Sequence, residues 1–243
     1  MFKSKEKPVI EFISRLEFLK DIEEIRPQPA NKFIPQWWKE MPWDKSLEES
    51  RHRPVGNLVR QCPMFPDFFS SGYILPMWAD ATLFYKDGEW RWKCGSDGSP
   101  FKISIFHQSQ FLDNSEYKMN GINATALFQL HNPWKIKTSK GYSLLQLPLF
   151  YHFNNEFSVM PGIYDANIIN TEKLEIAYYG EGKEIFIKKG TPLVQYIPYK
   201  KEKIDLVIRD FTNQDEKDEL KLYIQRSLMF KSWYSQNRNR GSN

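Results

Sequence analysis

Residues 161–168 read PGIYDANI. Asp165 follows a short apolar run, where a strand would end, and two chemistries suit a short carboxylate in that place. It can accept hydrogen bonds from its own backbone and shape a turn. Alternatively, it can face a ligand and act as a general base, for which it must lie within hydrogen-bonding reach of the proton it removes. The sequence leaves both readings open. Other groups able to do chemistry are few. His52, His107, His131 and His152 form no H-x-H, H-x-D, H-x-E or HExxH pattern, so no metal site is expected, because such sites need two or three ligands at strand or helix spacing. His131, His152 and Glu156 would approach one another only across a hairpin. Cys62 and Cys94 form no CxxC or zinc spacing. The proline after Cys62 fixes an extended turn, which fits a buried structural thiol kept reduced. GxGxxG, GxxxxGK[ST] and GxSxG are absent, which removes the familiar dinucleotide, P-loop and serine-hydrolase classes.

Aromatic residues offer a second kind of chemistry. Trp37, Trp38, Trp43, Trp78, Trp90, Trp92 and Trp134 either fill the core or form a platform on which a ring or a partner side chain stacks; Trp37, Trp38 and Trp134 are the ligand-facing choices. Lys200, Lys201 and Lys203 read as a solvated basic loop with a weaker capacity for phosphate contact.

These residues must be held by some scaffold, and the pattern of the chain describes it. In PANKFIPQWWKEMPW, Pro35 and Pro42 bracket one helical turn carrying Trp37 and Trp38, since proline fits a first turn but not a helix interior. A strand is expected over residues 9–13, and a polar loop over 44–57. From residue 58, short apolar runs alternate with Gly, Pro, Asn and Asp, the texture of an all-β unit. Strands are expected over residues 71–75, 79–85, 89–94, 102–106, 124–129, 134–137, 143–147, 162–163, 174–179, 184–187 and 193–198. YKDGEW marks a two-residue hairpin turn, because Asp-Gly tolerates positive φ. After Thr212, an acidic first turn and the spacing of Leu220, Tyr223, Ile224 and Leu228 predict an amphipathic helix docked on the sheet, followed by a frayed tail.

The resulting expectation is a mainly β fold, a sandwich or barrel of jelly-roll or β-clip type. It divides into an N-terminal strand and Pro-Trp flap (1–57), a β-domain (58–210) and a C-terminal helix with its tail (211–243), packed as one unit. Composition agrees: 41% hydrophobic and 16% aromatic residues in a chain of 243 supply a sizeable core and exclude a disordered polar chain. A net charge of +4, from 34 basic and 30 acidic residues spread along the chain, directs it to neither nucleic acid nor anionic membrane. No signal-peptide pattern or membrane-spanning apolar run is seen, so a protein that is neither secreted nor membrane-bound is expected.

GIYDANI resembles the "G-apolar-apolar-Asp-x-Asp-Tyr" signature of the deoxyuridine triphosphatase and deoxycytidine triphosphate deaminase superfamily. IKKGTPLVQYIP resembles its later "apolar-Lys-x-Gly-Asp-x-apolar-apolar-Gln-apolar" signature. The likeness implies that Asp165 positions or activates water, that Gly190 makes the turn and Gln195 lies at the ligand, that Asp80 in WADATL is the metal-associated acid, and that magnesium and a trimer complete the site. The sequence departs from the pattern where Ile168 replaces the stacking aromatic, and no Arg-Ser phosphate motif precedes Asp165. A broader likeness, carried by PANKFIPQWWKEMP, QCPMFPDFFSSGYILPMWADATL, NPWKIKTSKGYSLLQLP, PGIYDANI and IKKGTPLVQYIPY, is to an uncharacterised protein family of tailed phages of the marine cyanobacterial type.

Three functions follow as expectations. The first is a phage accessory or virion-associated β-domain that binds a protein partner, another virion component or a small ligand without catalysis and without a cofactor, located in the host cytoplasm or the virion. The second is a divergent nucleotide-binding or nucleotide-hydrolysing enzyme using Asp165, Asp80 and magnesium. The third is a jelly-roll iron-dependent oxygenase.

Overall fold

The computed structural model describes residues 10–41, 59–105, 118–119, 122–123, 125–166, 173–180 and 184–224. Trp43, His52, His107, Ile168, the 44–57 segment and the tail beyond 224, all singled out above, lie outside these residues. The chain divides into two compact units, Met1–Lys201 and Glu202–Asn243.

The first unit is mainly β. Its strands are β1 (Ile10–Ser14), β2 (Gln28–Pro29), β3 (Tyr73–Pro76), β4 (Ala81–Lys86), β5 (Glu89–Cys94), β6 (Ile103–Ile105), β7 (Lys118–Met119), β8 (Ile122–Asn123), β9 (Ala126–His131), β10 (Trp134–Thr138), β11 (Tyr142–Pro148), β12 (Phe157–Val159), β13 (Gly162–Tyr164), β14 (Lys173–Tyr178), β15 (Glu184–Ile187) and β16 (Pro192–Lys200). A five-stranded sheet runs β13-β11-β16-β3-β2, a four-stranded sheet β12-β14-β9-β6 and a three-stranded sheet β15-β4-β5. The pairs β1-β10 and β7-β8 stand apart. The sheets are open, in keeping with a sandwich, and the barrel alternative does not hold.

One core joins the sheets. Leu75, Leu144, Val194 and Tyr196 come from the five-stranded sheet, and Phe128, Leu130, Leu174 and Ile176 from the four-stranded one. Leu83 and Ile185 come from the three-stranded sheet. Alternation places these side chains on one face of each strand and leaves the intervening ones on the other. The expected hairpin forms at Asp87-Gly88: φ is 55° and 84°, and Lys86 faces Glu89 across a two-residue turn whose twist suits the flanking strands.

Among the described residues, two helices accompany the sheets. α1 (Gln36–Glu40) is the expected Pro-Trp turn, with Pro35 as its cap. α2 (Met64–Ser70) is absent from the sequence expectation, which places only an extended turn at the proline after Cys62. Pro66 falls in the first helical turn, where its backbone nitrogen has no intrahelical acceptor to serve.

The second unit contains an exposed run without secondary structure, 202–212, and α3, a helix over 213–224. The expected cap is present. Thr212 donates its N–H (2.8 Å) and its hydroxyl (2.6 Å) to Asp215 Oδ2, and the Asp215 N–H returns to Thr212 Oγ1 at 3.4 Å. Arg209 adds two contacts of 2.5 Å to the same carboxylate, so Asp215 is held well below the usual carboxylate range. Within its own unit, Leu220, Tyr223 and Ile224 of the expected apolar face of α3 are left without cover. Helical spacing specifies that a face exists and not what covers it. No helix among the described residues is long and apolar enough to cross a membrane.

Candidate binding site: an aromatic cleft on the five-stranded sheet

The site begins with Gln195. In β16, Val194 and Tyr196 face the core, so Gln195 projects from the opposite face. It is nevertheless buried, because α2 lies over it: the Gln195 amide donates to the carbonyl oxygens of Phe68 (3.1 Å) and Ser71 (2.7 Å). These carbonyls belong to the end of α2, where intrahelical donors run out. A glutamine that interrupts an apolar strand here ties a helix to a sheet.

That tie fixes a layer of rings. Trp38 stacks on Phe65 with centroids 5.2 Å apart and meets Phe69 edge-on at 5.2 Å. Tyr151, from the β11–β12 connection, contacts Phe65, Phe68 and Phe69 at 5.2–5.5 Å. Trp37 packs on Phe153 at 5.3 Å and donates its indole N–H to the Tyr151 carbonyl at 2.7 Å. The Arg60 guanidinium sits 5.0 Å from the Trp38 ring centroid, a cation–π contact. Its partial burial lowers its pKa from the ordinary arginine value.

The connection over residues 149–156 continues past this layer and rims a cleft of about 340 Å³. His152, Phe153, Asn154, Ser158, Tyr179 and Thr191 are among its lining residues, so apolar ring faces stand beside amide and hydroxyl groups. Phe150 and Phe153 remain 52% and 63% exposed. Phe153 adopts a left-handed φ of 50°, which is uncommon for a bulky residue and costs on the order of 1–3 kcal/mol. Burial lowers the His152 pKa, opposed by a hydrogen bond with the Phe33 backbone.

The remaining candidates occupy other places. Trp134 is 3% exposed in the core and offers no ring to a ligand. Gly190, with φ of 81°, makes the β15–β16 turn, and a Cβ there would lie 2.7 Å from Glu24 Cγ. Its N–H donates to the Met77 carbonyl at 2.8 Å. Asp80 joins the same turn, accepting the Lys189 N–H at 2.7 Å on Oδ1. Asp165 follows β13 and is ion-paired with Lys201, so its charge is met within the chain. The pairing register puts Tyr164 level with Pro198, and therefore Asp165 level with Tyr199, while Asp80 lies beyond the Pro192 end of β16. Seven strand residues separate those levels, roughly 23 Å at ~3.3 Å each. Asp80 and Asp165 thus stand at opposite ends of the sheet and cannot share one metal ion or one water.

His131 and His152 do not come together in a metal cluster, and no group of three metal-ligating side chains occurs among the described residues. His131 Nε2 instead lies 2.6 Å from Ser104 Oγ, on the outer face of the four-stranded sheet near Gln129 and Glu175. Of the cysteines, Cys94 is buried and its thiol is pushed up to about 11, first by burial and then by the Asp80 charge. Cys62, expected to be buried, is half-exposed.

Sequence reasoning singled out Trp37 and Trp38 but missed Phe65, Phe68, Tyr151 and Phe153. The dense aromatic runs MFPDFF and LFYHF carried that signal. Compared with models of known protein families and with characterised proteins, the chain matches none.

Proposed function

We propose that the protein is a non-catalytic binding domain that holds an apolar, ring-bearing segment of a protein partner in the cleft beside Phe150 and Phe153. The observation that carries this reading is Phe153, a large exposed ring held at positive φ on the lip of a preformed cleft. Strain at an exposed ring is the mark of a contact residue, since packing alone would favour a relaxed rotamer and backbone. The neighbouring Asn154, Ser158 and Thr191 supply the few polar groups that orient a ligand. The broad likeness to tailed-phage proteins supports an accessory or virion-associated role, in the host cytoplasm or the particle.

The test is fluorescence titration of Trp37 and its neighbours with a panel of aromatic-containing peptides, alongside thermal melting with deoxynucleotides and magnesium. Peptide binding that weakens at least tenfold in Phe153→Asn, a residue that tolerates left-handed φ, supports the reading. Stabilisation by a nucleotide with magnesium, lost in Asp165→Asn, would replace it with the nucleotide-hydrolysing alternative, because only a ligand of the folded state raises Tm.

A further inference from the structure

The lining of the cleft says more than that its rim is apolar. None of the described residues that line it is Asp, Glu, Lys or Arg, and burial holds His152 toward its neutral form. A charge brought into it loses water and meets no opposite charge, so the part of an occupant that enters must be uncharged. The hydrogen-bonding groups are weighted toward donors. Asn154 Oδ1 already accepts the Glu156 N–H at 2.9 Å and the Phe157 N–H at 3.2 Å, which leaves the Asn154 NH2 to donate. The Ser158 hydroxyl donates to the Val159 carbonyl at 3.3 Å, and Thr191 adds a hydroxyl able to donate. An ordinary peptide brings one N–H with every C=O, and an N–H buried without an acceptor costs about 1–3 kcal/mol. Proline brings the C=O alone.

We infer that the segment held in the cleft is proline-rich and in the polyproline II conformation, its pyrrolidine rings against Phe150 and Phe153 and its carbonyl oxygens accepting from Asn154 and Thr191. This rests on the binding reading above and narrows it to one partner chemistry. Polyproline II has three residues per turn and no internal hydrogen bonds, so prolines at i and i+3 share a face while the carbonyls stay open to outside donors. Aromatic-lined grooves take such segments because the helix exists before binding, and little ordering entropy is lost on docking. A chain that carries acceptors, rings and no charge matches a lining that carries donors, rings and no charge.

Calorimetric titration of the full chain tests it with three end-blocked, uncharged peptides: one of Pro-Gln-Gln-Pro repeats, its counterpart with every proline replaced by alanine, and one bearing aromatic residues without proline. The proline peptide should bind at least tenfold more tightly than its alanine counterpart and should weaken in Phe153→Asn. Asn154→Asp keeps the acceptor for the Glu156 and Phe157 N–H groups and loses only the NH2. It should weaken the proline peptide about three- to tenfold, the loss of one hydrogen bond, with Tm unchanged, and Thr191→Val should act in the same direction. An alanine counterpart that binds equally well overturns the inference. So does proline-peptide binding indifferent to both Asn154→Asp and Thr191→Val. In either case, Phe153-dependent binding of the aromatic peptide leaves the cleft reading standing, whereas binding by none of the three removes both.

Discussion

Gln195, within a strand, and Asp165, just past the end of one, are both polar residues of the same sheet, yet the structure uses them in opposite ways. Gln195 is sealed under α2, and its amide serves two backbone carbonyls at the end of that helix. Asp165 lies past the end of an edge strand and pairs with Lys201, whose side chain is 43% exposed. A buried donor that leaves its acceptors stranded is costly to remove, whereas an ion pair in which only the lysine reaches well into solvent, Asp165 being 15% exposed, is weakened by the water and salt at that end. The sheet is therefore anchored and elaborated near Gln195 and merely fastened near Asp165.

This contrast can be broken by mutation. The largest effect is expected at the aromatic layer that Gln195 holds down: Trp38→Ala should lose about 3–5 kcal/mol of unfolding free energy in urea denaturation, from lost burial and the cavity left among Phe65 and Phe69. Gln195→Leu should cost about 1–3 kcal/mol, because the Ser71 carbonyl loses its side-chain donor and the Phe68 carbonyl keeps only the Ser71 N–H. A neutral result would mean that α2 is held by ring packing alone. Asp165→Asn should cost under about 1 kcal/mol. A loss as large as that of Gln195→Leu would erase the contrast.

A pH experiment sharpens the picture further. The folded-state pKa of His152 is below its unfolded value, so as pH falls through the ordinary histidine range near 6.5 the unfolded chain takes up a proton that the folded chain refuses. Stability should therefore be fully present above that range and decline below it. Urea melts of the parent protein and His152→Gln at pH 5.5 and 7.5 should show a smaller acid loss in the variant. The smallest effect concerns thiols: with Cys94 pushed up to about 11, a disulfide reagent at pH 8 should modify Cys62 quickly and Cys94 only on unfolding.

Much of the scaffold was legible in the chain. The Asp-Gly hairpin, the Pro35 turn with its two tryptophans, the strand over 193–198 and the Thr212 cap all depend on local rules: which residues tolerate positive φ, where proline fits, which side chains bond their own backbone. The site was less legible. α2 was not legible, because a helix accommodates Pro66 only in its first turn, and the local sequence does not say where that turn begins. The cleft depends on Phe150 and Phe153 arriving beside residues contributed by β12 and β16, which no local pattern encodes. The strands β2 and β12 are too short to announce themselves, and exist because a neighbour already offers an edge.

By itself, the sequence determined that this protein is mainly β, where its tight turns fall, and that it is rich in rings placed around prolines, since dihedral preference and side-chain period act within a few residues. Only the tertiary structure decided what the singled-out residues do. It made Gln195 an anchor, Trp134 core and Asp165 the partner of Lys201, and it set Asp80 and Asp165 at opposite ends of one sheet. Those outcomes depend on strand register and burial, which are settled between residues far apart in the chain.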